Sequence, residues 1–583
     1  MKYFNTTFKI ILVFAIGSIL SCENEFQHAD LIIVNANIWT GNEKQPNAEA
    51  MAVRGDSIIA IGAKQDILKF KNPSSKIIDV KGNYITPGFI DTHVHFLFGG
   101  FNLMSVQLRD AKTPDEFISR ISQYAKTVPK GTWILGGEWD GSDWETLPSK
   151  DWIDNHTPEH PVFITGLSGH IALANSLAME LTGVTFEVEE VTGGVIGRND
   201  SNELTGIFKD NAMNIISDKI PAATDEEMDK ALIAAMNHFA SKGVTTVHNV
   251  WYPAESEGHG ETFERALNAK KLITRIYRLD ALEKWETRAK KEKGKSIKSK
   301  WLKTNGLKGM FDGALGSHTA AFFEPYADDP SDNGLFLVPE KNLYDWVSNA
   351  DKKHLQVAVH AIGDRAINTL LNNYENIISE NGKKDRRFRI EHVQHIAPQD
   401  IKRVASLNVI ASMQPSHTID DGRWAEKVIG PERIKTTYAF KSLIDAGAIV
   451  SFGSDWPVAS ASPLEGIYAA VTRITLDGKN PEGWVPKQKI TPEEALIAYT
   501  KNGAYASFEE NVKGTLAPGK LADFVIISDD ITKVEPQKIK DLKILKTFVG
   551  GEKVFDANMM PKSSEINYSE VQIGRKRSSG ATK

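Results

Sequence analysis

The stretch Pro87-Gly88-Phe89-Ile90-Asp91-Thr92-His93-Val94-His95 decides how this chain is read. A proline and a glycine open it, an apolar pair follows, and two histidines close it two residues apart. Side chains alternate along a strand, so His93 and His95 point to one side. Two imidazoles on one side can share a divalent ion at about 2.0–2.1 Å from each ligating nitrogen. At the C-terminal end of a strand in a (β/α)₈ barrel, such a pair is half of a metal site.

Downstream of this stretch the chain offers the rest of such a barrel. Strand candidates lie at 84–90, 243–248, 274–279, 306–311, 355–360, 388–392, 408–413 and 448–452. Several are β-branched apolar runs without strict alternation, as expected of strands buried on both faces. Helical patterns such as 225–241 and 364–379 lie between them. Eight strand-then-helix units predict an α/β fold with a TIM-type parallel barrel over 85–505. The gap between the first two candidates is too long for a single connection, so 101–223 is expected to be an inserted lobe, rich in Trp and Gly.

The flanks read differently. Residues 22–84 hold short strand-like runs such as Leu31-Ile32-Ile33-Val34, divided by Gly and Asn turn signals. The same texture returns over 506–560, in Phe524-Val525-Ile526-Ile527 and Ile544-Leu545-Lys546-Thr547-Phe548-Val549. Neither flank has the apolar content for a core of its own, so the two are expected to pair into one small β-sandwich. The polar segment 561–583 is expected to be a disordered tail. Residues 1–21 have a basic start, a short apolar run and small residues at the end, the make-up of a secretory signal. Cys22, the only cysteine, follows at once.

With 41% hydrophobic and 25% charged residues, the composition is that of a folded globular chain. A net charge of −6 with no long basic block argues against a nucleic-acid partner. Cleavage before Cys22 with a lipid on its sulfur would leave no thiol for a disulfide or a cysteine metal site.

Three further residues stand at ends of strand candidates. His360 ends the fifth, His392 the sixth, and Asp455 follows the eighth. His395 competes with His392 but falls beyond the apolar run. Lys308 lies inside the fourth candidate, where a charged ammonium is costly. His248 ends the second.

The run from Pro87 to His95 resembles the first-strand signature of the amidohydrolase superfamily. Leu307–Ala321 and Gly514–Ile527 resemble its amidohydrolase-3 branch, which includes N-substituted formamide deformylases. The resemblance spans 31 to about 555. It implies one or two divalent metal ions, with zinc favoured, held by His93, His95, Lys308, His360, His392 and Asp455. Lys308 would be carboxylated to a bridging carbamate. It implies hydrolysis of a carbon–nitrogen bond other than a peptide bond, on a small amide or formamide. Asp455 is then the catalytic base and acid, and His248 is expected to steady the oxyanion. In the lobe, Gly169-His170-Ile171-Ala172-Leu173-Ala174-Asn175-Ser176 also looks like the branch, making His170 and Asn175 candidates for substrate contact. His318 stands where many relatives carry Arg, and is a third candidate. A deaminase or cyclic-amide hydrolase is an alternative on the same scaffold, and an inactive surface-anchored binding protein is another. Resemblance to bacterial lipoprotein signals implies lipidation of Cys22, an exported protein anchored in a membrane, and a possible homodimer is also considered.

Overall fold

The computed structural model describes residues 28–141, 144–167, 169–251, 259–294 and 299–559. Eight parallel strands form its centre and neighbour one another in chain order: Phe89–Val94, Val244–Val250, Arg275–Ala281, Leu302–Met310, Gln356–Ala361, Arg389–His392, Ile410–Met413 and Ile449–Phe452. The last meets the first through the backbone. Asp455 N–H donates to His93 O (2.7 Å) and His95 N–H to Trp456 O (2.9 Å). Helices pack outside. The helix Asp225–Ser241 begins with a capping box between Thr224 and Glu227 and turns Met228, Leu232, Ala235 and Phe239 inward.

The first strand candidate is corrected. Residues 84–90 are not one strand: Tyr84–Pro87 belongs to a flanking sheet, and the barrel strand begins at Phe89. Gly88 is the switch. Its N–H donates to Asp523 O, while the next N–H donates to Gly243 O. A Cβ on Gly88 would stand 2.2 Å from the Thr245 side chain, so only glycine passes this crossing.

The flanks build two sheets. Residues Leu31–Val34, Ala50–Arg54, Ser57–Gly62 and Lys76–Asp79 form one of four strands. The other has six, in which Phe524–Ile527 pairs antiparallel with Tyr84–Pro87. Leu31, Ile33 and Met51 of the first share a core with Ile85, Phe524 and Phe548 of the second. Arg275, at the start of the third barrel strand, staples this unit to the barrel. Its Nε and Nη2 donate to Asp523 at 2.7 and 2.9 Å.

The inserted lobe is a six-stranded sheet running from Val106–Gln107 at one edge to Gly194–Arg198 at the other. Its tryptophans have a packing role. Trp139, Trp144 and Trp152 surround Phe117 of the helix Pro114–Ala125 at centroid distances of 6.2, 5.3 and 6.4 Å. No helix among the described residues is long and apolar enough to cross a membrane.

Candidate active site

Histidines converge at the C-terminal mouth of the barrel, and each of three is tied down by one ring nitrogen. His93 Nδ1 lies 2.6 Å from Glu391 Oε2. His95 Nδ1 lies 3.3 Å from Val250 O, and His360 Nε2 lies 3.0 Å from Gly313 O. A carbonyl or carboxylate only accepts, so these partners assign the proton to the tied nitrogen. The other nitrogen of each ring then presents a lone pair, the arrangement by which neighbouring groups orient metal-binding imidazoles.

Two of these rings, His93 and His95, meet Asp455. Its Oδ1 is 3.1 Å from His95 Nε2 and 3.5 Å from His93 Nε2. One ligand atom each from His93, His95 and Asp455 lies within 4.8 Å of the others. The ring of His392 stands 4.7 Å from that of His93 and 4.5 Å from that of His360. His93 Nε2 and His392 Nδ1 are buried without a hydrogen-bond partner. Leaving such atoms unpaired costs about 1–3 kcal/mol each, so the set fits a divalent cation.

The backbone bends to build this geometry. Glu391 and Arg389 are two residues apart on the sixth strand, and both turn into the barrel. Period-two alternation would send His392 outward. His392 and Val393 instead take φ of 75° and 46°, which turns the imidazole over the mouth.

Charge is arranged to suit ligation. Burial is the main cause that holds His93 down at about 4 and His360 at about 3. Both are neutral imidazoles near pH 7. Burial opposes ionisation of Glu391, yet Arg389 and His93 beside it hold its carboxyl at about 2. Asp455 is likewise desolvated, and the imidazoles of His95 and His93 still hold it well below the usual carboxylate range.

His93, His95, Lys308, His360, His392 and Asp455 all line one cavity of about 310 Å³, with Gln394, His417, Asp421 and Trp424. His395 lies outside it, 2.9 Å from Thr437 Oγ1. The other proposed contacts are not brought there. The second strand runs on to Val250, so His248 sits below the mouth, fully buried. Its Nδ1 accepts from Arg389 Nη1 at 3.0 Å, so it is part of the floor and does not face a substrate oxyanion. Asn175 caps the helix Ser176–Leu181 and ties down Thr157 and His160, a packing role. His170 is exposed in the lobe and bonds to Asp210 at 2.8 Å. His318 stacks on Tyr326 at 4.2 Å; Ala314, Leu315 and Gly316 of its loop face the cavity, but His318 does not. Cys22 lies outside the described residues.

Several residues escaped sequence reasoning. Glu391 and Arg389 were readable in Arg-Ile-Glu-His as an inward pair by alternation. His417, on the helix Pro415–Asp421, comes 3.7 Å from Asp455 Oδ2. It follows the seventh strand closely, the signal that marked the other histidines.

Known proteins share this architecture. The model of the Amidohydrolase family matches residues 76–555. Over 538 residues the chain is 38% identical to Protein LONG AFTER FAR-RED 3 of Arabidopsis thaliana, covering 90% of this chain and 92% of that one. It is 28% identical over 549 residues to N-substituted formamide deformylase of Arthrobacter pascens, covering 90% and 98%. A solved metal-dependent hydrolase from Pyrococcus horikoshii superposes with a TM-score of 0.73 at 27% identity, over 87% of this chain and 99% of that one. With a TIM-type barrel and a histidine–aspartate cluster at its mouth, the chain belongs to the amidohydrolase family and is a metal-dependent hydrolase.

Proposed function

We propose that the protein hydrolyses the carbon–nitrogen bond of a small amide or formamide, using one or two divalent ions, zinc first among them. The observation that carries this is the convergence of His93 and His95, each tied at its far nitrogen, on the carboxylate of Asp455. Nitrogen and oxygen donors of this kind suit zinc. His93, His95 and Asp455 would hold one ion, and Lys308, His360 and His392 a second, with Lys308 carboxylated to supply the shared oxygen. When bound, such an ion lowers the pKa of water towards about 7 and polarises a carbonyl oxygen.

The chain's own groups do the rest. Asp455 Oδ1 faces the histidines, while Oδ2 turns to His417. Oδ2 is the atom placed to take a proton from the attacking water and return it to the leaving nitrogen. Glu391 and Arg389 keep His93 in the tautomer that offers Nε2. Trp424 and Leu315 form apolar parts of the cavity wall.

The test is turnover of N-formyl amines, N-acyl amines, lactams and amino-heterocycles by the purified protein, with elemental analysis of the same sample. Amide or formamide turnover with near-stoichiometric metal is expected, lost to a chelator and restored by zinc. Activity confined to amino-heterocycles would replace this reading with deamination, and full activity without metal would end it. A second proposal concerns export: the lone Cys22 after an apolar run supports lipid attachment there. Intact mass of the membrane fraction, and of Cys22→Ala, tests it.

A further inference from the structure

A second cavity, of about 780 Å³, lies beside the first, and Val458 lines both. The two are adjoining walls of the same segments. Asp455 faces the small cavity while Trp456 and Pro457 face the large one. His417 and Asp421 face the small cavity while Ser416 and Asp420 face the large one. The Val458 N–H donates to Asp455 O at 2.9 Å, a tight turn that leaves the valine side chain 57% exposed as a sill between them.

The wall behind the sill is fixed before any ligand arrives. The Trp456 ring stacks on His238 at 5.4 Å and meets Phe239 edge-on at 5.1 Å. A Cβ at Gly99 would stand 2.1 Å from that indole, so the ring lies where only glycine permits it. Leu103, Val106, Ile419, Tyr468 and Leu476 continue the apolar surface, and Leu476 is 64% exposed towards it. The far side comes from the inserted lobe, through Gln107, Arg109, Gly137 and Glu138.

The charges on this wall cancel. Arg109, Lys242 and Lys540 oppose Glu138, Asp420 and Glu465. Arg109 lies 3.6 Å from Glu138, Asp420 pairs with Arg423, and Lys540 sits over the Tyr468 ring at 4.8 Å. Apolar side chains face the cavity around the sill and balanced charges line the rest, so a cavity of this size suits a neutral, drug-sized group with a large apolar part.

We propose that this larger cavity is the subsite for the substituent on the substrate nitrogen, and that it takes a large aryl or branched-alkyl group. The assignment rests on Asp455 protonating the leaving nitrogen, as set out above. The leaving amine departs on the Asp455 side, and the next wall on that side is Trp456-Pro457-Val458. The small cavity holds the carbonyl; the large one holds what the amine carries.

The test uses the full metal-loaded protein and two measurements. The first is kcat/KM for N-methyl-, N-butyl-, N-benzyl- and N-naphthylmethylacetamide. Burial of an aromatic group in the subsite should raise it at least about tenfold from methyl to naphthylmethyl. The second is calorimetric binding of benzylacetone and its naphthyl counterpart, which carry a methylene in place of the amide N–H and cannot be hydrolysed. Both are repeated on Leu476→Trp and Leu103→Trp, which narrow the cavity. Leu476 is exposed, so at least that variant should fold, and melting curves check each.

The naphthylmethyl-to-methyl ratio and the affinity for the naphthyl ketone should both fall severalfold in the folded variants. Hydrolysis of all four amides at similar kcat/KM, or a ratio unmoved by either variant, would overturn the subsite and leave the hydrolase reading intact. If no amide turns over but the naphthyl ketone binds and the variants weaken it, the hydrolytic reading falls and the apolar subsite stands. Neither turnover nor binding would sink both.

Discussion

The two ends of the barrel both bury ionisable side chains, and they treat them in opposite ways. At the bottom, Arg275 and Asp523 are almost fully buried and saturated. The guanidinium donates to both carboxylate oxygens and to Lys300 O, and the carboxylate also accepts from Gly550 N–H at 2.7 Å. At the mouth, His93 Nε2, His392 Nδ1 and His417 Nε2 are equally dry and have no hydrogen-bond partner. A buried polar group that is satisfied holds the fold together, whereas several unsatisfied ones aimed at a common point are waiting for something to bind. This division follows the general rule for such barrels, in which the C-terminal face carries chemistry and the N-terminal face carries stability.

Asp455→Asn is the strongest way to break the comparison. It keeps the shape at the mouth and removes the proton acceptor, so turnover should fall by about 10²–10⁴-fold. Bound metal should fall far less, since the histidines remain. Turnover and metal content measured on one preparation decide it: full turnover with normal metal would remove Asp455 from proton transfer.

At the bottom, Asp523→Ala leaves the Arg275 guanidinium buried without its carboxylate. A loss of about 3–5 kcal/mol in denaturant unfolding is expected, because a broken buried pair strands a charge. At a temperature where the variant stays folded, kcat should match the unaltered protein. A large fall in kcat with unchanged stability would show that the two ends are not separate in function.

Glu391→Gln sharpens the comparison, because Glu391 is saturated like the bottom pair and yet sits beneath the mouth. Glutamine keeps an acceptor for Arg389 Nε but loses the charge that holds the His93 proton. Metal affinity, read by competition with a chromophoric chelator, should weaken about 10–100-fold. Unchanged affinity would place Glu391 with the structural residues.

Much of the mouth is legible in the sequence. His93-Val94-His95 at the close of an apolar run, His360 and His392 at later strand ends, and Asp455 after the eighth strand are local signals. Each depends on alternation and on where an apolar run stops. Lys308 declared itself through the cost of an ammonium inside a strand. The two strand-end errors have one source, which is depth along the barrel axis. Ending the second strand at His248 instead of Val250 moved that imidazole up to the mouth, when it belongs to the layer below. Starting the first strand at Tyr84 merged a flanking strand with a barrel strand, because Gly88 marks a change of sheet only when Asp523 and Thr245 are beside it.

By itself, then, the sequence determined the strand-and-helix order, the barrel class and the residue types at the strand ends. Those follow from dihedral preference, periodicity and burial along a single segment. Only the tertiary structure decided that Glu391 meets His93, that Arg275 meets Asp523, and that Val458 divides two cavities. Such facts depend on the register between strands and loops some forty to several hundred residues apart. That register is set by the packing of the whole barrel, and no local stretch encodes it.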